Sequence, residues 1–283
     1  MKSITLKNGD KISKLGMGSW FIGDNPKTRN EEIAAFRFGI ENGINLIDTA
    51  EMYGSGRSES LIGEAIQPYD RSALYIVSKV LPNNANARNM ERACDNSLKN
   101  LGTDYLDMYL YHWRGATPLY ETVEELEKLK AKGKIRAWGV SNFDLEDMQE
   151  LLDEPNGKHC QVNQVLFHLG SRGIEYALKP WQDKQAIATM AYCPLAQAGS
   201  LQRNLLRNAE VNTIAQELNC TPYQVLLLFV LAQPNMIAIP KAGQVQHMQD
   251  NLACLTMKLT KDQLARLDRA FPTPNRRVHL DIV

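Results

Sequence analysis

The sequence has no excess of positive or negative charge, and this absence disfavours partners that are bound through charge, such as nucleic acids and anionic membranes. Lysine plus arginine and aspartate plus glutamate each number 32 among 283 residues, so the formal net charge is zero. Without a basic run, the chain offers no electrostatic footprint for nucleic acid or for an anionic membrane. We therefore expect neither nucleic acid nor a membrane among its partners.

Long apolar runs and paired cysteines are also missing. The longest apolar run, Val225 to Ala232, is far too short to cross a bilayer, and the first ten residues lack the apolar core of a signal peptide. The five cysteines are scattered and contain no Cys-x-x-Cys pair, and the five histidines show no metal-ligand spacing. These features predict a cytoplasmic protein with reduced thiols and no metal site.

Strand and helix patterns instead alternate along the whole chain. Eight strand-like runs are predicted: 15–19, 44–48, 74–79, 106–112, 135–141, 161–164, 187–192 and 236–241. Capping boxes at Thr28/Glu31, Thr221/Gln224 and Thr260/Gln263 predict helix starts, and Gly43 and Gly133 predict helix ends. An Asn8-Gly9 turn between alternating residues predicts an N-terminal β-hairpin, expected to cover the bottom of a barrel.

This alternation predicts an α/β protein, a (β/α)8 TIM barrel with an N-terminal hairpin, in one domain spanning residues 1–283. A doubly wound open sheet is the alternative. However, no Gly-x-Gly-x-x-Gly follows a strand, since Phe21 stands where the third glycine after Gly16 and Gly18 belongs.

Ionisable or polar residues stand at the ends of four successive strands. Asp48, Lys79, His112 and Ser141 follow one another at intervals of 31, 33 and 29 residues, and a βα unit of a barrel takes about 30 residues. Taken singly, Asp48 could cap a helix, Tyr53 could pack, Lys79 could be a solvated strand end and His112 a core histidine. Together they favour a proton-donating site, because the carboxyl ends of barrel strands converge on one face.

A series of motifs in chain order resembles the aldo-keto reductase family. The motifs are Gly43-Ile-Asn-Leu-Ile-Asp48-Thr-Ala-Glu-Met-Tyr53-Gly, Ser78-Lys79, Tyr111-His112-Trp113, Gly139-Val-Ser141-Asn142-Phe, Asn163-Gln164, Ala191-Tyr192-Cys-Pro-Leu195 and Ile239-Pro-Lys241. The likeness covers essentially the whole chain. Within the family it is closest to bacterial reductases of methylglyoxal and similar small carbonyls, and the stretch His168 to Tyr176 contributes to that likeness.

The resemblance implies a catalytic tetrad of Asp48, Tyr53, Lys79 and His112. Reducing a carbonyl requires a hydride at carbon and a proton at oxygen, and Tyr53 would supply the proton. The pKa of a free tyrosine lies near 10, and a neighbouring lysine ammonium lowers it. Asp48 would hold Lys79 in place, and His112 would orient the carbonyl.

The resemblance also implies a nicotinamide cofactor, NADP(H) preferred and NAD(H) possible. Ser141, Asn142 and Gln164 would bind the carboxamide and Tyr192 would stack on the ring, while Leu195, Ala196 and Gln197 would approach the pyrophosphate. Alternatively, Ser141-Asn142 caps the following helix, although Asp144 could cap that helix instead. The residues that the resemblance places near the adenosine 2′-phosphate of NADP(H) are Lys241, Ala242, His247 and Asn251. Ala242 and His247 replace a hydroxyl residue and an arginine of many members, which weakens discrimination against NADH.

The substrate pocket implied by the family is lined by Trp20, Met52 and Trp113 together with Tyr53 and His112. Only about a dozen residues follow Phe271, so we expect an open pocket and broad specificity for small aldehydes and α-dicarbonyls. Because members of the family are often monomers, the resemblance also implies a monomer. Cys193 beside this site is either a packing residue or a reactive thiol.

Two other functions stay open from the sequence. A Schiff-base lyase or aldolase could use Lys79 or Lys241 as its amine, although Asp48 opposes a neutral Lys79. A non-catalytic, nicotinamide-binding regulatory subunit is the other alternative.

Overall fold

An eight-stranded parallel barrel forms the centre of the molecule. The computed structural model describes residues 2–197 and 199–282. The barrel strands are β3 (Met17–Gly18), β4 (Leu46–Asp48), β5 (Tyr75–Val80), β6 (Leu106–Tyr111), β7 (Ile135–Ser141), β8 (Val162–Leu166), β9 (Ala188–Tyr192) and β10 (Met236–Ala238). They pair in chain order, each parallel to its neighbours.

Contacts between the first and last strand regions close the barrel. Parallel bridges join Leu15 to Ala238 and Gly18 to Lys241. The Gly18 N–H donates to the Pro240 carbonyl over 3.1 Å. A Cβ at Gly18 would stand 2.6 Å from the Ile239 carbonyl oxygen, so only glycine permits this approach.

The N-terminal hairpin covers one end of the barrel. Its strands, β1 (Ser3–Thr5) and β2 (Lys11–Ser13), pair antiparallel across the Asn8-Gly9 turn. Leu6 and Ile12 pack in one apolar cluster with the side chains inside the barrel, which include Leu46, Val77, Met108, Leu110, Val162, Met190 and Ile237. The hairpin therefore closes the barrel bottom, as its sequence predicted.

Helices surround the strands and bury a second, larger apolar layer against them. They are α1 (Arg29–Glu41), α2 (Arg57–Ile66), α3 (Met90–Leu101), α4 (Leu119–Ala131), α5 (Leu145–Asp153), α6 (Leu178–Lys184), α7 (Ser200–Arg207), α8 (Ala209–Glu217), α9 (Pro222–Ala232), α10 (Val245–Ala253) and α11 (Lys261–Ala270). The predicted (β/α)8 barrel with an N-terminal hairpin is confirmed, and the doubly wound alternative is wrong.

Most of the predicted helix ends are confirmed. Thr221 and Thr260 each cap a helix in a reciprocal box with the glutamine three residues later. Gly43 and Gly133 end α1 and α4 with φ of 91° and 74°. The box predicted at Thr28 is wrong. The Thr28 backbone is already in the right-handed helical region, and its hydroxyl donates to Asn25 O and Glu32 Oε1.

In the part of the chain that the structure describes, no helix combines the length and apolarity that a membrane crossing requires.

Replacing the capping threonine of α9 tests the helix assignment. Thr221→Ala removes the acceptor for the Gln224 N–H and should lower the free energy of unfolding by about 1 kcal/mol. Thr213→Ala is the matched control, because the Thr213 hydroxyl is exposed and bonds back within α8. Urea unfolding of both variants measures the difference, and an equal effect of the two would contradict the cap.

Candidate active site

The barrel brings the predicted strand-end residues to one end. Asp48 is the last residue of β4, Lys79 lies near the end of β5, and His112 directly follows β6. On the other side of the barrel, Ser141 ends β7 and pairs in register with Gln164 on β8. Parallel strands in register place all of these residues at the carboxyl end of the barrel.

Lys79 is the centre of a buried polar chain. Its side chain is 0% exposed, and its ammonium donates to Asp48 Oδ2 at 2.8 Å, to the Thr49 carbonyl at 2.8 Å and to Tyr53 Oη at 3.0 Å. An ammonium carries three donor hydrogens, and three acceptors surround this one. The other oxygen of Asp48 accepts from Gln164 Nε2 at 2.7 Å.

The pKa of Lys79 is raised, so this side chain stays charged. Burial is the largest single influence and lowers the pKa, but the Asp48 carboxylate and Tyr53 together outweigh it. A buried charge of this kind requires a partner, and Asp48 supplies it.

Tyr53 remains a phenol in this environment. Burial is the largest influence on its pKa and raises it, while the charge of Lys79 acts in the opposite direction without overcoming burial. The predicted direction of the Lys79 effect is confirmed, but this effect is smaller than that of burial, so the pKa of Tyr53 is raised. A protonated Tyr53 at neutral pH retains the proton that a general acid must give.

His112 is neutral and lies beside Tyr53. The two rings meet edge to face with their centroids 5.9 Å apart. His112 is 6% exposed, and burial, aided by the charge of Lys79, lowers its pKa to about 2. Among the described residues its buried Nδ1 has no hydrogen-bond partner.

Ser141, Asn142, Gln164 and Tyr192 form one hydrogen-bonded wall. The Ser141 hydroxyl donates to the Gln164 carbonyl at 2.8 Å, and the Tyr192 hydroxyl donates to Asn142 Oδ1 at 2.8 Å. Asn142 Nδ2 in turn donates to the His112 carbonyl at 3.2 Å. Asp144, in a box with Asp147, caps α5, so the alternative that Ser141-Asn142 caps this helix is wrong.

A cavity of ≈ 750 Å³ opens over these groups. The sequence-predicted residues that line it are Trp20, Asp48, Met52, Tyr53, His112, Trp113, Ser141, Asn142, Gln164, Tyr192, Leu195, Ala196, Gln197 and Lys241. Lys79 lies beneath the cavity floor. Ala242 and Asn251 are buried outside this lining, and His247 is exposed outside it.

The lining also includes residues that were not predicted from the sequence, among them Phe21, Arg114, Gln202 and Ile282. Phe21 stacks on Trp20 with centroids 4.6 Å apart, is 57% exposed and has φ of 63°. Its place beside Trp20 in the sequence was a usable signal. The other three carry no local pattern that marks them.

The C-terminal tail reaches the cavity although it is short. Arg277 forms ion pairs with Asp144 and Glu146 at the start of α5, and Ser171 donates to Asp281. These contacts carry Ile282 to the cavity wall. The short tail thus adds one residue to the cavity wall, and the open pocket expected from its length stays a prediction.

Cys193 lies half-buried in the cavity wall, and burial raises the pKa of its thiol to about 11. A protonated thiol is a poor nucleophile, so the packing role is favoured over the reactive one. In residues 2–197 and 199–282, no group of three or more His, Cys, Asp or Glu side chains could hold a metal ion.

A parallel barrel with a buried Asp48–Lys79–Tyr53 chain at the carboxyl ends of its strands is typical of an enzyme that transfers a proton to its substrate. Comparison with known proteins gives the family. The model of the aldo/keto reductase family matches residues 14–271. The chain therefore belongs to the aldo/keto reductase family and is an oxidoreductase.

Several relatives match over nearly the full length. Methylglyoxal reductase YeaE of Escherichia coli is 49% identical over 282 residues, covering 100% of this chain and 99% of the relative. Glyoxal reductase of Bacillus subtilis is 32% identical, covering 96% of each. A crystal structure of an aldo/keto reductase from Klebsiella pneumoniae in complex with NADP and acetate is 48% identical, with a TM-score of 0.97, covering 100% of this chain and 99% of that one.

The depressed pKa of His112 predicts how stability depends on pH. Because the folded value of about 2 lies below the unfolded value near 6.5, protonation favours the unfolded chain once the pH falls below about 6.5. Between pH 7.5 and pH 5, protonation of His112 in the unfolded chain should lower the free energy of unfolding by roughly 2 kcal/mol. In the His112→Gln variant, the free energy of unfolding should fall by that much less over the same pH range, as measured by denaturant unfolding. If the variant and the native chain show the same pH dependence, His112 is not neutral in the folded protein.

Proposed function

We propose that this chain is an NADPH-dependent reductase of small aldehydes and α-dicarbonyls, methylglyoxal among them. It acts as a cytoplasmic monomer, with residues 1–283 as a single domain and neither nucleic acid nor a membrane as partner. The observation that carries the proposal is the buried Asp48–Lys79–Tyr53 chain, which reaches the cavity beside neutral His112. The methylglyoxal and glyoxal reductases among its relatives support the substrate class.

The cavity wall fits a nicotinamide cofactor. A carboxamide needs both donors and acceptors, and Ser141, Asn142 and Gln164 bring hydroxyl and amide groups to the lining. Tyr192 adds an aromatic ring, held in place by its bond to Asn142. Lys241 adds an exposed cation to the same lining. The NADP and NADPH complexes of the Klebsiella pneumoniae relatives support this choice of cofactor.

When bound, the reduced nicotinamide supplies the hydride to the carbonyl carbon. Tyr53 gives its proton to the carbonyl oxygen, and its raised pKa keeps that proton available at neutral pH. The ammonium of Lys79, 3.0 Å from the phenol oxygen, stabilises the phenolate that remains. Asp48 keeps Lys79 charged and fixed through this step.

His112 orients the carbonyl in this scheme. A neutral imidazole carries one N–H donor, which can bind the carbonyl oxygen as negative charge builds there. With its lowered pKa, His112 does not compete with Tyr53 as the proton source.

The charge of Lys79 counts against the lyase alternative. A Schiff base requires a neutral amine, whereas Asp48 and Tyr53 raise the pKa of Lys79. Lys79 also lies under the floor of the cavity rather than in its lining.

Removing the phenolic hydroxyl of Tyr53 tests its role as the proton donor in the reduction. Tyr53→Phe should lower kcat/KM for methylglyoxal by about 10²–10⁴-fold, the usual contribution of general acid catalysis, with NADPH binding retained. Tyr120→Phe, at an exposed tyrosine on α4, is the control. NADPH oxidation is followed at saturating cofactor. Activity of the Tyr53 variant equal to the control would overturn the assignment, and a native chain that binds NADPH without turnover would favour the regulatory alternative.

Lys241 should carry the preference for the 2′-phosphate. Lys241→Met removes a charge-assisted contact worth about 1.5–3 kcal/mol, so KM for NADPH should rise roughly tenfold or more while KM for NADH stays constant. Lys261→Met, at an exposed lysine on α11, serves as the control. An equal rise with both cofactors would show that Lys241 does not read the phosphate.

A further inference from the structure

The loop that follows β9 has an unusual backbone where it lines the cavity. Residues 193–197 all belong to the lining. Cys193 has φ of 49° and Ala196 has φ of 57°, both in the left-handed region that residues other than glycine seldom adopt. Such conformations persist only where neighbouring contacts hold them, and they concentrate at functional sites.

One side chain holds the far end of this loop. Gln202, in the first turn of α7, donates from Nε2 to the Leu195 carbonyl at 3.1 Å and to the Ala196 carbonyl at 3.0 Å. The amide group of glutamine has two hydrogens, so both bonds can form together. The Ala196 N–H closes a turn on the Cys193 carbonyl at 2.9 Å.

These bonds fix the direction of two consecutive peptide groups. In a trans peptide, the carbonyl of one residue and the N–H of the next point in opposite directions. With the Ala196 carbonyl bound to Gln202, the Gln197 N–H is directed away from the Gln202 amide. Peptide N–H groups attract phosphate oxygens, whereas free carbonyl oxygens repel them.

We propose that Gln202 is a positioning residue for the diphosphate of the cofactor, because it holds the carbonyls of Leu195 and Ala196 and so sets the peptide orientation of residues 193–197. The inference rests on the proposed function, since the diphosphate belongs to the nicotinamide cofactor. Gln202 itself needs no contact with the reacting atoms.

Two substitutions of Gln202 by residues of similar size distinguish the effect of its amide hydrogens from the effect of its packing. Gln202→Met keeps the length of the side chain and removes the amide hydrogens, so Kd for NADPH should rise about tenfold, the equivalent of about 1.4 kcal/mol. Gln202→Glu replaces the donor with a negative acceptor and should raise Kd further. The change in Kd for NADPH should be larger than the change in kcat measured with saturating NADPH, because the proton-donating groups are unchanged.

A ligand without a diphosphate distinguishes positioning from general damage to the fold. Adenosine 2′-monophosphate should bind Gln202→Met as tightly as it binds the native chain, as measured by competition with a fluorescent ligand. Gln216→Met, at an exposed glutamine on α8, is the control and should leave both affinities unchanged.

Each outcome decides the inference. A selective loss of NADPH affinity supports it. An unchanged Kd for NADPH in Gln202→Met, or an equal loss for NADPH and adenosine 2′-monophosphate, would overturn it while leaving the reductase function standing. A native chain that binds no NADPH would overturn the proposed function and this inference together.

Discussion

The ion pair between Lys79 and Asp48 is the interaction on which the carboxyl end of the barrel depends. An ammonium that is 0% exposed must find acceptors inside the protein, and each of the three around Lys79 comes from β4 or from the residues just after it. Asp48 is shared with Gln164 from β8, on the other side of the barrel. Hydrogen bonds thus join Asp48 and Lys79 to Gln164 across the barrel, and these polar groups pack on the apolar side chains that fill the barrel interior.

Burial disfavours the charged forms of Tyr53, His112 and Lys79 alike, and the different outcomes assign their roles. It raises the pKa of the Tyr53 phenol and lowers that of the His112 imidazole, so both are neutral at pH 7. Lys79 alone keeps its charge, because a carboxylate lies 2.8 Å away. One proton donor, one fixed cation and one neutral hydrogen-bonding ring therefore stand together without exchanging protons among themselves.

Sequence patterns predicted those features that depend on local periodicity and on strand ends. The eight strands, the hairpin, and the convergence of Asp48, Lys79, His112 and Ser141 follow from residue type and spacing. Features that depend on contacts between distant residues could not be predicted. The path of the tail to Ile282 depends on Arg277 meeting Asp144, and the conformation of Ala196 depends on Gln202. The net pKa of Tyr53 depends on the balance of burial against charge, which is set only in the folded structure.

Closure of the barrel also sets the order of events during synthesis. The bridges that close it join Leu15 to Ala238 and Gly18 to Lys241, so the first strand waits for nearly the last part of the barrel to leave the ribosome. In the folded chain β3 pairs with β4 on one side, and until residues 236–241 exist its other edge has no partner. Contacts between residues so far apart in the chain form slowly. The cavity above Asp48 and Lys79 therefore cannot be complete before residues 236–241 have been synthesised.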